Sequence, residues 1–363
     1  MEELPSIPDA EIDVDFDFIK KLTTVAVSIL FVVFGYYTWQ IISGDLSWNG
    51  PSNLVLEQEE DFKSLIQYDE VDNFSGSGVD VCIVDSGIDA THRDLEEMNL
   101  ADWSDFIGSS TEPYDDNDHG TMMAGILVAD GGLSGIAMDV NLYVAKALAA
   151  NGSGDDATVA QAIDWCISKD VDIISLSLGG ATSGASVIFG DDVESAVDSA
   201  YDQGIVVVAA AGNDGSNDDG DVASPGTVDT VICVGGVDAN GNLWSGSSIG
   251  DNDGRIWPIL LPRNSPNEKP EVVAPAESVP VIIPGDSWIM ASGTSAATVF
   301  VTGAIAILFE AYPELMDGGT DMLDNLKQWI VDSSKTSDGQ DGHDDHYGYG
   351  LLQINGLLEA SQA

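Results

Sequence analysis

Four short segments hold side chains suited to acyl transfer. Asp85 opens a D-S-G turn directly after the apolar run VDVCIV (79–84). His119, one of only four histidines, lies in DHGTMMAG (118–125), beside a glycine that permits close backbone approach. Asn213 follows an apolar run in GIVVVAAAGNDG (204–215), and Ser295 stands in SGTSAA (292–297), ahead of an apolar helix running toward Glu310. The free N–H groups of such a helix start favour negative charge. Acyl transfer needs a nucleophile, a base, an acid that orients the base, and donors for the oxyanion. One of each is present, in the chain order Asp, His, Asn, Ser. Taken singly, each has a plainer reading: an ordinary turn, a helix-start histidine, a turn asparagine or an N-cap serine. Their joint occurrence points to chemistry.

These residues need a scaffold, and the apolar runs supply one. VDVCIV (79–84), VNLYVAKAL (140–148), VDIISLSL (171–178), GIVVVAA (204–210) and TVICVGGV (230–237) are continuous rather than alternating, as parallel strands buried on both faces are. Between them, Val159, Ile163, Cys166 and Ile167 share one helical face, as do Val193, Val197, Ala200 and Tyr201. Strands alternating with helices predict an α/β fold: a doubly wound, mostly parallel sheet with helices on both faces. Sites in such sheets form at the carboxyl ends of strands, where Asp85 and Asn213 fall. Cys82, Cys166 and Cys233 each sit in an apolar run. One must stay unpaired, and all three are expected as small buried core residues.

Residues 22–42 carry no charge. As a helix they are about 32 Å long, enough to cross a hydrocarbon layer of about 30 Å. Lys20 and Lys21 precede the stretch, and Tyr36, Tyr37 and Trp39 close it like an interfacial belt. This predicts an acidic tail (1–21), a transmembrane helix (22–43), a linker (44–75) with one helix around Leu54–Tyr68, and a catalytic domain (76–363) outside the cell membrane. A cleaved signal peptide with a secreted domain is the rival; the length of the stretch, its acidic leader and the missing A-x-A site oppose it.

Charge bounds the partners. The chain has 62 Asp plus Glu against 11 Lys plus Arg, a formal net charge of −51. Such a surface repels nucleic acid and nucleotide polyphosphates, and no G-x-x-x-x-G-K-[ST] loop is present. With 44% hydrophobic residues, the chain is not a disordered polyanion. Residues 44–363 keep 55 acidic and 9 basic side chains. That surplus suits concentrated salt, where the Debye length falls to about 3 Å at 1 M. A halophilic source, of haloarchaeal type, and loss of folding at low salt are expected.

VCIVDSGID, DHGTMMAGIL, ISLSLGG, VVVAAAGNDG, KPEVVAPA and SGTSAA fall in order between residues 79 and 311. In this the chain resembles the subtilisin-like serine peptidases, or subtilases, which share the Asp, His, Ser order. The resemblance implies that Ser295 is the nucleophile, His119 the general base, Asp85 the residue holding the imidazole, and Asn213 with the Ser295 N–H the oxyanion donors. It implies polypeptide substrates, paired as an added strand along Ser177, Leu178 and Gly179, and a monomer. Met122, Val299 and Phe300 depart from the family pattern, in which histidine, proline and histidine stand. Residues 44–79 leave no room for the pro-domain usual in secreted relatives.

No cofactor is required. Structural calcium, common in relatives, would fall on Asp115–Asp118, Asp214–Asp221, Gly250–Gly254 or Asp238, although solvated carboxylates are the plainer reading. His343-Asp344-Asp345-His346 is a weak metal candidate, His92 reads as structural, and residues 250–269 read as a surface insertion. The alternative to a peptidase is a catalytically silent subtilase-like binding module at the cell surface.

Overall fold

The computed structural model of the chain describes residues 16–43, 50–179, 192–215, 220–256 and 259–363. It divides into two compact units after Asn53. In the first, α1 (Phe16–Ser43) is a single helix whose Lys20–Gln40 stretch has a mean hydropathy of 1.6 and no buried share. It is long and apolar enough to cross a membrane, a property that signal sequences also have. The acidic tail to residue 15 and the junction at 44–49 lie outside the described residues.

The second unit is built on seven parallel strands: β1 (Asp80–Asp85), β2 (Asn99–Asp105), β3 (Asn141–Lys146), β4 (Ile173–Leu176), β5 (Val206–Ala210), β6 (Ile232–Val237) and β7 (Val272–Pro275). Their spatial order is β2-β3-β1-β4-β5-β6-β7, and every neighbouring pair is parallel. The five apolar runs became β1, β3, β4, β5 and β6. β2 was not anticipated, because NLADWSD has no apolar run. As an edge strand it needs only the backbone ladder with β3 and one covered face. β8 (Val279–Ile283) and β9 (Ser287–Ala291) form a separate antiparallel pair.

Helices cover both faces. α4 (Asp156–Ser168) and α5 (Asp192–Asp202) close one face with Val159, Ile163, Val193 and Val197. α3 (His119–Val128) and α6 (Thr294–Ala311) close the other, supported by α7 (Gly319–Ser333) and α8 (Ile354–Ala360). α6 has the same mean hydropathy as α1, 1.6, yet is 89% buried inside the protein. Its Thr298 and Thr302 hydroxyls donate to the carbonyls of Thr294 and Thr298, so its polar atoms are satisfied within the core.

Two expectations are corrected. The helix expected around Leu54–Tyr68 is present, but it packs into the fold instead of lying in a linker. α2 (Asn53–Leu65) buries Val55 and Phe62, and Ile66 beyond it is fully buried. The Phe62 ring lies 6.4 Å from that of Phe300, and Lys63 donates to the carbonyl and hydroxyl of Ser134 at 2.6 and 2.8 Å. An amphipathic helix with an aromatic on its apolar face belongs to whatever buries that face, and Phe300 is part of the reason. The second correction concerns cysteine. Cys82 of β1 and Cys166 of α4 are buried but bonded to each other, and Cys233 is the buried free thiol. The parallel crossover brings α4 back over β1, which no count of three cysteines reveals.

The scarce cations are committed. Among the described residues, eight of the nine basic side chains in 44–363 lie within 4 Å of a carboxylate. Lys269 and Lys327 of α7 share the buried Glu271 at 2.7 and 2.9 Å, and Arg263 grips Asp221 with two nitrogens at 2.9 Å. Burial lowers Lys269 to about 8. This network ties the end of the 250–269 insertion, whose Trp257 and Pro258 lie outside the described residues, to α7.

The disulfide spans 84 positions; a closed loop of that size stabilises by about 4–5 kcal/mol in the chain-entropy account. Replacing Cys82 and Cys166 by alanine should lower unfolding free energy by about 2–5 kcal/mol in denaturant titrations. An unchanged midpoint would show that the bond is not formed.

Candidate active site

The strand order reverses between β1 and β4, and open α/β sheets bind ligands outside the carboxyl ends of strands at such a point. Asp85 ends β1, and Ser177, Leu178 and Gly179 follow β4. His119 is the first residue of α3, Asn213 follows β5, and Ser295 is the second residue of α6. A cavity of about 760 Å³ opens here, lined by His119, Ser177, Leu178, Gly179, Asn213 and Ser295. Asp85 is fully buried and sits behind His119.

The His119 Nδ1 lies 2.8 and 3.0 Å from the two Asp85 carboxylate oxygens. Asp85 Oδ1 also accepts the Ser86 N–H at 2.6 Å. With Nδ1 turned to a carboxylate, Nε2 is the nitrogen left to take a proton. The Asp85 charge raises the His119 pKa above its ordinary value; burial opposes this, and the Asp85 hydrogen bond and the Asp115 charge add to it.

The Ser295 hydroxyl donates to the Ser177 carbonyl at 3.1 Å, while the Ser177 hydroxyl donates to the Ser295 carbonyl at 3.0 Å. The resting serine is therefore held by the strand end rather than by His119. Such bonds commonly tighten only with substrate in place. Asn213 Oδ1 accepts the Thr294 N–H at 2.9 Å and the Thr294 hydroxyl at 3.0 Å. These two donors fix the amide orientation and leave Nδ2 as a donor beside the cavity. The Ser295 N–H, in the first turn of α6, is a second free donor.

Three supporting residues were not singled out in the sequence for what they do. Ser86 Oγ donates to Asp115 and accepts the Gly120 N–H, each at 2.9 Å. Asp115 also accepts the Asn117 and Asp118 N–H groups and both the N–H and hydroxyl of Thr121, anchoring the start of α3. Thr294 bridges Gly212 and Asn213. The usable signal was adjacency: each stands within a few positions of a candidate.

Three of the carboxylates named as calcium candidates are already engaged by protein groups. Asp115 is saturated by protein donors, Asp238 accepts from the Asn240 and Asn242 N–H groups and the Asn242 amide, and Asp221 is paired with Arg263. Residues 216–219 lie outside the described residues. Among those described, no three His, Cys, Asp or Glu side chains are grouped to hold an ion. His343 Nε2 meets the Pro270 carbonyl at 2.9 Å and its ring stacks edgewise on Tyr349. His92 is buried, accepts the Asp94 N–H and packs against Trp288.

An α/β protein that gathers a carboxylate, an imidazole and a serine hydroxyl at one cleft has the parts of a serine hydrolase. The subtilase family model matches residues 76–350. Subtilisin DY of Bacillus licheniformis is 37% identical over 257 residues, covering 69% of this chain and 84% of the relative. A subtilisin of Bacillus pumilus is 32% identical over 292 residues, covering 79% and 93%. Serine protease AprX of Bacillus subtilis (strain 168) is 34% identical over 281 residues, covering 68% and 62%. The chain belongs to the subtilase family of serine peptidases.

Because Asp85 raises His119, the acid limb of kcat/KM against pH should lie above about 6.5. Asp85→Asn should move the limb below that of the parent and cut kcat by about 10⁴-fold. A limb left in place would contradict the coupling.

Proposed function

We propose that the protein is a serine endopeptidase acting through Asp85, His119 and Ser295. The observation that carries this reading is the contact of His119 with the buried Asp85 at the cleft that also holds Ser295 and Asn213. Ser295 Oγ attacks the scissile carbonyl while His119 Nε2 takes its proton. The oxyanion receives hydrogen bonds from Asn213 Nδ2 and the Ser295 N–H. His119 then gives the proton to the leaving amine, and water, deprotonated by His119, releases the acyl group from Ser295. Asp85 holds the imidazole and stabilises its charged form. Among the described residues, the Leu178 and Gly179 backbones have no hydrogen-bond partner, which supports their pairing with an extended polypeptide.

In this reading the protein works as a monomer, and residues 22–43 anchor it in the cell membrane with the catalytic domain outside. The apolar α1 supports the anchor, and the Cys82–Cys166 disulfide supports an oxidising exterior. The charge of −51 supports work in concentrated salt.

A membrane-impermeant fluorophosphonate probe on intact cells tests these points together. Labelling is expected, in a band that sediments with membranes and vanishes in Ser295→Ala. The Ser295 hydroxyl rests on the Ser177 carbonyl, which favours a silent binding module as second reading. Folded protein that never labels would establish that reading. In a salt series, secondary structure and activity should be lost below about 1 M salt, where acidic self-repulsion is no longer screened. Full activity in dilute buffer would remove the halophilic reading.

A further inference from the structure

Lys146 closes β3, in register with Asp85 on one side and Asp105 on the other. Its side chain is wholly buried. An ammonium has three N–H groups to place, and each finds an oxygen. They reach the Ser86 carbonyl, the Leu148 carbonyl at 3.1 Å and the Asp116 carboxylate at 2.6 Å. The Tyr114 ring covers the charge, with its centroid 4.7 Å away. Lys146 is not among the residues lining the cavity, and the peptidase chemistry does not use it.

The three oxygens belong to three segments that the site depends on. Ser86 follows Asp85, and its N–H holds Asp85 Oδ1. Asp116 lies in the segment where Asp115 anchors the helix start bearing His119. Leu148 lines the cavity wall. Ser86 is thereby pinned on both flanking peptides, by Asp85 on its N–H side and by Lys146 on its carbonyl side. An apolar side chain in place of Lys146 would leave the Ser86 and Leu148 carbonyls without that donor, a loss a buried carbonyl does not tolerate cheaply.

We propose that Lys146 is a positioning residue: by tying the Ser86 and Leu148 carbonyls to the Asp116 carboxylate, it sets the Asp85-bearing strand end against the His119-bearing helix. The inference rests on the proposed triad. Its reach is catalytic rather than merely structural, because misplacement by about 1 Å at such a site costs about 10²-fold in rate.

Lys146→Met and Asp116→Asn, made in the full chain at high salt, test it against the parent. Lys146→Met should lower kcat by about 10- to 100-fold with KM changed by less than about threefold. It should also shift the acid limb downward, since His119 loses its close Asp85 contact. Asp85 and Asp115 act on His119; Asp118 precedes it at the helix start, Asp156 and Asp214 line the same cavity, and Lys146 pairs with Asp116. Loss of the cation alone would move the limb upward, so the direction separates positioning from a simple field effect. Asp116→Asn alters a side chain that is 43% exposed and keeps the test available should the lysine variant not fold. A kcat reduction of about three- to tenfold is expected of it. Parent-like kcat in both variants, or a limb that rises, would overturn the inference. Ser295→Ala labelling run alongside holds the triad reading fixed, so that a negative result falls on Lys146 alone.

Discussion

A chain with 62 acidic and 11 basic side chains cannot neutralise itself, so the placement of its few cations constrains the fold. Burying a charge is tolerable only when it is paired and its remaining hydrogen bonds are met. The side-chain charges of Lys146, Arg263, Lys269 and Lys327 are all shielded from solvent and all paired. They stand where segments distant in sequence must be joined: the end of β3 to the turn after β1, and the 250–269 insertion to α7. The cations act as internal ties, and the uncompensated carboxylates are left to the surface. That division explains how one protein can be strongly self-repelling outside and conventionally packed within.

The same constraint reaches the cleft. Asp85 is a fully buried carboxylate, acceptable there because it accepts from Ser86 and meets His119. Ser86 in turn is tied to Asp115, Gly120 and Lys146, so the geometry of the pair is set by a polar network extending well past the three reacting side chains. On the other side of the cleft, Thr294 fixes Asn213 and Ser177 fixes Ser295. Each group that the proposed chemistry needs is oriented by a neighbour with no part in the bond changes, which is how preorganised sites keep their donors aimed.

Much of this was legible in the sequence. Continuous β-branched runs announced five of the seven strands, and glycine-bearing loops and helix starts marked Asp85, His119, Asn213 and Ser295 as candidates for one site. β2 was not legible, since an edge strand can be polar. The packing of α2 was hidden because its partner, Phe300, lies far along the chain. The disulfide was hidden for a related reason: Cys82 and Cys166 look like core residues, and they are, but only the crossover shows that they face each other. Lys146 lay inside the run VNLYVAKAL with nothing to mark it; its three acceptors come from segments that only the register of β1 and β3 brings together. Hydropathy alone also failed to separate α1 from α6, because it counts residues without knowing what surrounds them.

The strand order has a consequence for the life of the newly made chain. β4 pairs with β1 across roughly ninety positions, and Asp85 and Ser295 stand 210 positions apart. Contacts of such long range form late, after the loop entropy between them has been met. A contiguous fragment that contains Asp85, His119 and Ser295 together must run at least the 211 residues from 85 to 295. Until α6 is made and docked, the growing polypeptide lacks Ser295, and with it the site that the proposed chemistry needs.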